Sequence, residues 1–332
     1  MATGAGITPL HTQGNVYLTG PYKGAPISLA IVTPAIAGPF DLGTVVARVA
    51  LNVDPETAKV TATSDPLPSI LYGIPLDIRQ IVFQMDRPEF TLNPTSCDPM
   101  SIGGEMQTAT GGTSPLLVPF QVGGCSALGF KPKLAIRLKG GTTRGGHPAL
   151  SATVAYPTTG KYANIKTAQV TLPRSEFLDQ AHIGTVCTRV QFKADQCPPK
   201  SIYGKATAIT PLLSSPLSGP AYLRSSSHQL PDLVVDLHGQ VDVVLVGRID
   251  SVNGGIRTTF EAAPDAPVSK FTLQMQGGKK GLLVNSTNLC KHPKANKAIS
   301  LMEAQNGKVF DSEPELANSC KKKAKKHKKS KR

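Results

Sequence analysis

The sequence predicts an all-β chain of tandem β-sandwich (Ig-like) modules, stapled by disulfides, with one short helix possible and a disordered basic tail. Three observations carry this reading. Among 332 residues, Gly (31) and Pro (28) exceed their usual combined share of about 12% and follow no collagen period. Apolar and polar residues alternate in short runs bounded by turn formers. Finally, one long stretch of the chain occurs twice.

The repeat orders the elements. Ile-Thr-Pro-Leu stands at 7–10 and again at 209–212, and LTGPY (18–22) returns as LSGPAY (217–222). Residues 46–69 align without a gap to 246–269, setting Arg48 against Arg248, Asp65 against Asp265 and Ser69 against Ser269. Each block reads as a β-hairpin, since Val45, Ala47, Val49, Leu51 and Val53 alternate with Val46, Arg48, Ala50 and Asn52. Asp54-Pro55 closes one hairpin by fixing φ, and Asn253-Gly254-Gly255 closes the other by permitting positive φ. More loosely, IVFQM (81–85) matches FTLQM (271–275).

A smaller unit lies between the copies, with strands expected at 133–138, 150–156 and 164–172. Within it, SEFLDQAHIGTVC (175–187) offers one short helix with Ser175 as N-cap. The expected domains are therefore 1–130 (large β module, first copy), 131–204 (small Ig-like module), 205–320 (second copy) and 321–332 (tail). The second copy is preceded by CPPKSIYGKATA, the first only by MATGAG. The chain is thus expected to be the C-terminal part of a longer protein, able to meet that parent's other modules. SLAIVTPAIA (28–37) imitates a signal-peptide core, but Pro34 interrupts it and it reads as a strand.

The net charge of +14 is unevenly placed. Lys321, Lys322, Lys323, Lys325, Lys326, Lys328, Lys329, Lys331 and Arg332 put nine cations and no acid in twelve residues, leaving 27 cations against 22 acids in the body. Such a run repels itself, buries nothing and is expected to be disordered. It is a candidate anion-contact segment for a cell-wall polymer or a membrane surface, near which each cation contributes about 1 kcal/mol. Nucleic acid and plain solvation are the alternatives. Aromatics are 5% and Trp is absent, which weighs against base or sugar stacking.

Six cysteines follow the repeat. Cys97 corresponds to Cys290 and Cys125 to Cys320, giving equivalent bridges and leaving Cys187 and Cys197 to staple one loop. Free buried thiols are the alternative; no spacing fits a zinc site. Disulfides imply an oxidising, extracellular location.

Catalytic grammar is sparse. No nucleophile elbow, Walker loop or HExxH occurs, so no catalytic residue, cofactor, metal or small-molecule substrate is expected. KGGTTRGGHP (139–148) reads as a polar linker. Asn285-Ser286-Thr287 fits a glycosylation acceptor, but its match to Asn93-Pro94-Thr95 favours a turn role. The best constellation is Asp232, Asp236 and His238 on one face of a strand, near Ser227 and His228. Asp236 and His238 could ligate a metal or act as base and orienter in a hydrolytic site; the favoured reading is a polar face meeting water.

LTGPYKGAP, AGPFDLGTVV, DPLP, NPTSC, FKPKL, ANIK-x-x-x-VTLP, PDAPVS and the Lys/His-rich end together resemble the C-terminal β-rich repeat region of large secreted bacterial surface proteins of actinobacterial type. The resemblance implies a secreted, cell-surface β-rich protein with no assigned enzyme activity. The expected function is non-catalytic, structural or adhesive, with metal-dependent or hydrolytic chemistry at Asp236 and His238 as runner-up and nucleic-acid binding through the tail third.

Overall fold

The computed structural model describes residues 10–85, 87, 88, 90–157, 160–252, 254–291 and 296–320. The basic tail, Asn253 and the first residues of the repeat lie outside them. Strands account for 49% of the chain and helix for 6%. Among the described residues, no helix is long and apolar enough to cross a membrane. The chain divides into two compact units, 1–124 and 125–332.

The first unit is built on an antiparallel meander of β1 (Asn15–Thr19), β2 (Ile27–Ala37), β3 (Phe40–Val53) and β4 (Val60–Ser64). Two hairpins follow: β5 (Ile70–Leu71) with β6 (Ile74–Pro75), and β7 (Met100–Gln107) with β8 (Thr113–Phe120). The 28–37 segment is a strand as expected, and 46–69 forms the expected hairpin, with Val49 opposite Ser64. IVFQM, by contrast, forms no strand. The buried core is small: Ala25, Leu29, Ala47, Val49 and Ala50.

The second unit continues with β9 (Lys133–Lys139), β10 (Ala149–Ala155), β11 (Ile165–Thr171), β12 (Glu176–Leu178), β13 (Ile202–Ile209), β14 (Leu217–Arg224) and β15 (Asp232–Leu237). It ends with β16 (Val243–Val252), β17 (Gly255–Phe260), β18 (Lys270–Met275), β19 (Leu283–Asn285), β20 (Ile299–Ala304), β21 (Val309–Ser312) and β22 (Leu316–Asn318). Twelve of these strands form one curled sheet, ordered β21-β20-β11-β17-β16-β15-β14-β13-β18-β10-β9-β22. Among the described strand pairs of this sheet, β9–β22 alone is parallel. The fold is β-rich as expected, but it is not a clear run of tandem Ig-like sandwiches. Strands of 131–204 interleave with those of 205–320, β11 lying between β17 and β20. The physical reason is that the strands share one apolar side. Ile136, Leu138, Ala206, Leu223, Val235, Leu237 and Leu273 pack with Leu282, Leu289 and Leu316 in a single core.

The repeated stretches both form four-stranded antiparallel meanders, β1–β4 and β14–β17. Their registers differ, because β3 and β4 are separated by a longer turn than β16 and β17. Aligned residues therefore meet different partners. Arg48 lies 3.7 Å over the Tyr22 ring, and Asp65 accepts bonds from Tyr22 Oη (2.7 Å) and Lys23 Nζ (2.6 Å). Arg248 instead donates to Asp250, and Asp265 accepts from Asn164 Nδ2.

The segment 175–187 is not a helix. Glu176 and Phe177 enter β12, pairing with Asn285 and Val284, and only 180–182 makes a 3-10 turn, capped by Asp179. Ser175 does not cap, since its hydroxyl donates to its neighbour Glu176 (2.5 Å). The short α-helix, α1 (Arg189–Lys193), lies further on and carries a reciprocal Thr188–Gln191 capping box.

Candidate functional site

All six cysteines are disulfide-bonded. Cys187 joins Cys197 and Cys290 joins Cys320, as the repeat predicts, with Cα atoms 5.2 and 5.5 Å apart. The first of these loops carries α1 across the sheet: Phe192 meets Tyr222 edge to face at 6.1 Å, and Arg224 lies 5.3 Å over the Phe192 ring.

That cover corrects the reading of the Asp232–Asp236–His238 face. All six residues of β15 are buried; Asp232 and Asp236 are only 5% and 9% exposed. They sit on a central strand, beneath a side of the sheet that α1 and its loop overlie, so only His238 meets water. Asp232 is taken by His228 Nε2 (2.8 Å) and Arg224 (3.4 Å). His238 holds Asp236 through Nε2 (3.2 Å) and Asp242 through Nδ1 (3.1 Å). Burial raises the Asp236 pKa. Burial opposes charge on His238 too, but the Asp242 and Asp236 carboxylates outweigh it and raise its pKa. Both ring nitrogens thus face carboxylates, and the imidazole links the two acids.

A second cluster was not singled out from the sequence. His147 Nε2 lies 2.8 Å from Asp179 Oδ2, His182 Nε2 lies 3.8 Å from the same oxygen, and the two rings stack at 4.3 Å. All three residues are half-buried. His147 ends the Gly-rich loop read as a linker, yet that loop is tied down. Asn285, only 2% exposed, donates to the carbonyls of Gly141 and Thr143 and exchanges backbone bonds with Gly145 and Gly146. Gly141, at φ +49°, packs against the backbone of His147, where a side chain has no room. Asn285 thus serves the interior rather than a glycan. The available signal was an Asp and a His three residues apart, preceded in the chain by a His that ends a glycine-rich loop.

The third feature is a surface. The sheet registers place side chains in rungs across β9, β10, β18 and β13: Lys133–Ala155–Lys270–Ile209, Ala135–Thr153–Thr272–Thr207, and Arg137–Ser151–Gln274–Lys205. Ser218 and Pro220 of β14 extend the last two rungs, and Lys139 lies beyond them on β9. The alternate residues of these strands enter the core. None of the five strands contains an Asp or Glu, and between β13, β14 and β18 the face dips into an open trough. Lys133, Arg137, Lys139, Lys205 and Lys270 are exposed, and none makes an ion pair among the described residues. Comparison of the chain with protein-family models, with curated proteins and with solved structures finds no match.

Proposed function

We propose that this chain is a non-catalytic extracellular surface protein that holds an anionic polymer, of the kind found in cell walls, on the outer face of β9-β10-β18-β13-β14. The carrying observation is the acid-free face itself. Five cations without carboxylate partners among the described residues make a positive field over a polar platform. Thr153, Thr207, Thr272, Ser151 and Gln274 stand between them as neutral donors and acceptors suited to a hydroxyl-rich acidic polysaccharide. No aromatic side chain lies on these rungs, so bases have nothing to stack on, which disfavours nucleic acid. Ile209 is the one large apolar side chain on these rungs, too little for insertion into lipid, which disfavours a membrane.

Six oxidised cysteines support an oxidising, extracellular setting for this role. The duplicated meanders support a scaffold of repeated β units. In this reading the tail adds a second cationic segment. The test is salt-dependent retention of the full chain on heparin and on a carboxylated polysaccharide. Arg137→Gln/Lys205→Gln/Lys270→Gln and a variant with the tail lysines changed to Gln are compared singly and together. The face variant should elute at clearly lower salt even with the tail intact. Unchanged elution of the face variant would assign all binding to the tail, and tighter binding to single-stranded nucleic acid or anionic vesicles would replace the polysaccharide reading.

A further inference from the structure

We propose that His147, Asp179 and His182 bind a divalent transition metal, with zinc as the reference ion. The cluster shares no residue with the cationic face or with the Asp236–His238–Asp242 group.

Each ligand is oriented by a separate contact, as metal ligands usually are. His182 Nδ1–H donates to the Gly281 carbonyl at 2.7 Å, which fixes the tautomer and leaves the Nε2 lone pair free. Asp179 accepts the Ala181 backbone N–H on Oδ1 (3.0 Å), while its own N–H binds the Leu282 carbonyl (2.8 Å), so Oδ2 is aimed at the two imidazoles. The His147 carbonyl accepts the Gly278 N–H (2.9 Å), and Asn285 locks the loop that leads to it. The 3-10 turn, the 140–147 loop and the 278–281 turn are thereby held together before any ion arrives.

The spacing suits a small ion. Ligand separations of 2.8 and 3.8 Å bracket the edge of about 3.3 Å expected for a tetrahedron with bonds near 2.0 Å. The ring planes are 22° apart, so shared ligation requires one imidazole to turn about its Cβ–Cγ bond, a soft torsion. His147 Nε2 now carries the proton given to Asp179. On binding, a neutral His147 keeps that proton by moving it to Nδ1, which makes no bond to the protein among the described residues, whereas a protonated ring releases it to solvent and retains the one on Nδ1. Two neutral imidazoles and one carboxylate then leave the site at +1 with a fourth position open to water, the pattern of an exchangeable rather than a sealed structural site.

The test is calorimetric titration of the full oxidised chain with ZnCl2, and Co2+ absorption to report coordination number. One equivalent should bind, with a four-coordinate cobalt spectrum. Asp179→Asn, which keeps the side chain's shape and its bond from Ala181, should weaken binding at least tenfold, as should His182→Ala. His238→Ala should change nothing. Far-UV circular dichroism establishes that each variant is folded. Absence of stoichiometric binding, or binding that survives both Asp179→Asn and His182→Ala, or binding lost only in His238→Ala, overturns the assignment.

Discussion

Glu176 and Asn285 stand directly opposite each other across β12 and β19, and each holds a buried oxygen with no hydrogen-bond partner among the described residues. Two facing acceptors are unfavourable, and protonating Glu176 turns one of them into a donor. Burial pushes the Glu176 pKa from its ordinary 4.5 up to about 7, although the bond from Ser175 opposes this. The folded chain therefore binds a proton that the unfolded chain has released. Stability from this group is complete below about pH 4.5 and is lost as pH rises through 7, by up to about 3 kcal/mol. Glu176→Gln should abolish that loss, making the variant more stable than the parent at pH 8 and nearly equal to it at pH 4.5. Urea denaturation at the two pH values measures this, and parallel curves for both proteins would show that Glu176 is not the group responsible.

The Cys187–Cys197 bridge should contribute about 2–4 kcal/mol, mainly by restricting the unfolded chain. It also keeps α1 over Tyr222, on the strand beside the one that carries Asp236. Changing both cysteines to Ser should lower the denaturation midpoint and let the Asp236 pKa, now raised by burial, fall toward its ordinary value. Carboxylate titration by NMR reads the second effect. A large stability loss with no movement at Asp236 would mean that the loop keeps its place without the bridge.

The sequence carried the strand content, the two hairpins of the repeat and the two bridges within the second unit, because alternation and cysteine spacing are local or repeated signals. The interleaving of strands was hidden. Which strand neighbours β11 depends on pairings with β17 and β20 about 90 and 135 residues away, and no local pattern encodes them. Asp236 shows the same limit from the other side. Alternation placed it on a polar face, but whether that face meets water depends on α1, brought over it by a staple elsewhere in the chain. The His147–Asp179–His182 cluster joins a glycine-rich loop to a turn that helix-like spacing disguised.

The β7–β8 hairpin leaves Ile102 65% and Leu117 71% exposed, more apolar surface than a two-stranded ribbon usually shows to water. Packing against a partner surface would account for it. Ile102→Asn/Leu117→Asn should reduce binding of an apolar dye to the full chain while leaving its thermal midpoint within about 2 °C, because these side chains lie outside the core. A sharp fall in the midpoint would place them in the folded interior instead.

The central claim is that the five-strand face holds a polyanion, and lysine acetylation read by mass spectrometry tests it most directly. With an acidic polysaccharide at low salt, Lys133, Lys139, Lys205 and Lys270 should be modified several-fold more slowly, and about 1 M salt should restore their rates. Lys23 and Lys297, already ion-paired elsewhere, should be unaffected. Protection confined to the lysines of 321–332, with the four sheet lysines modified at their free rates, would contradict the account.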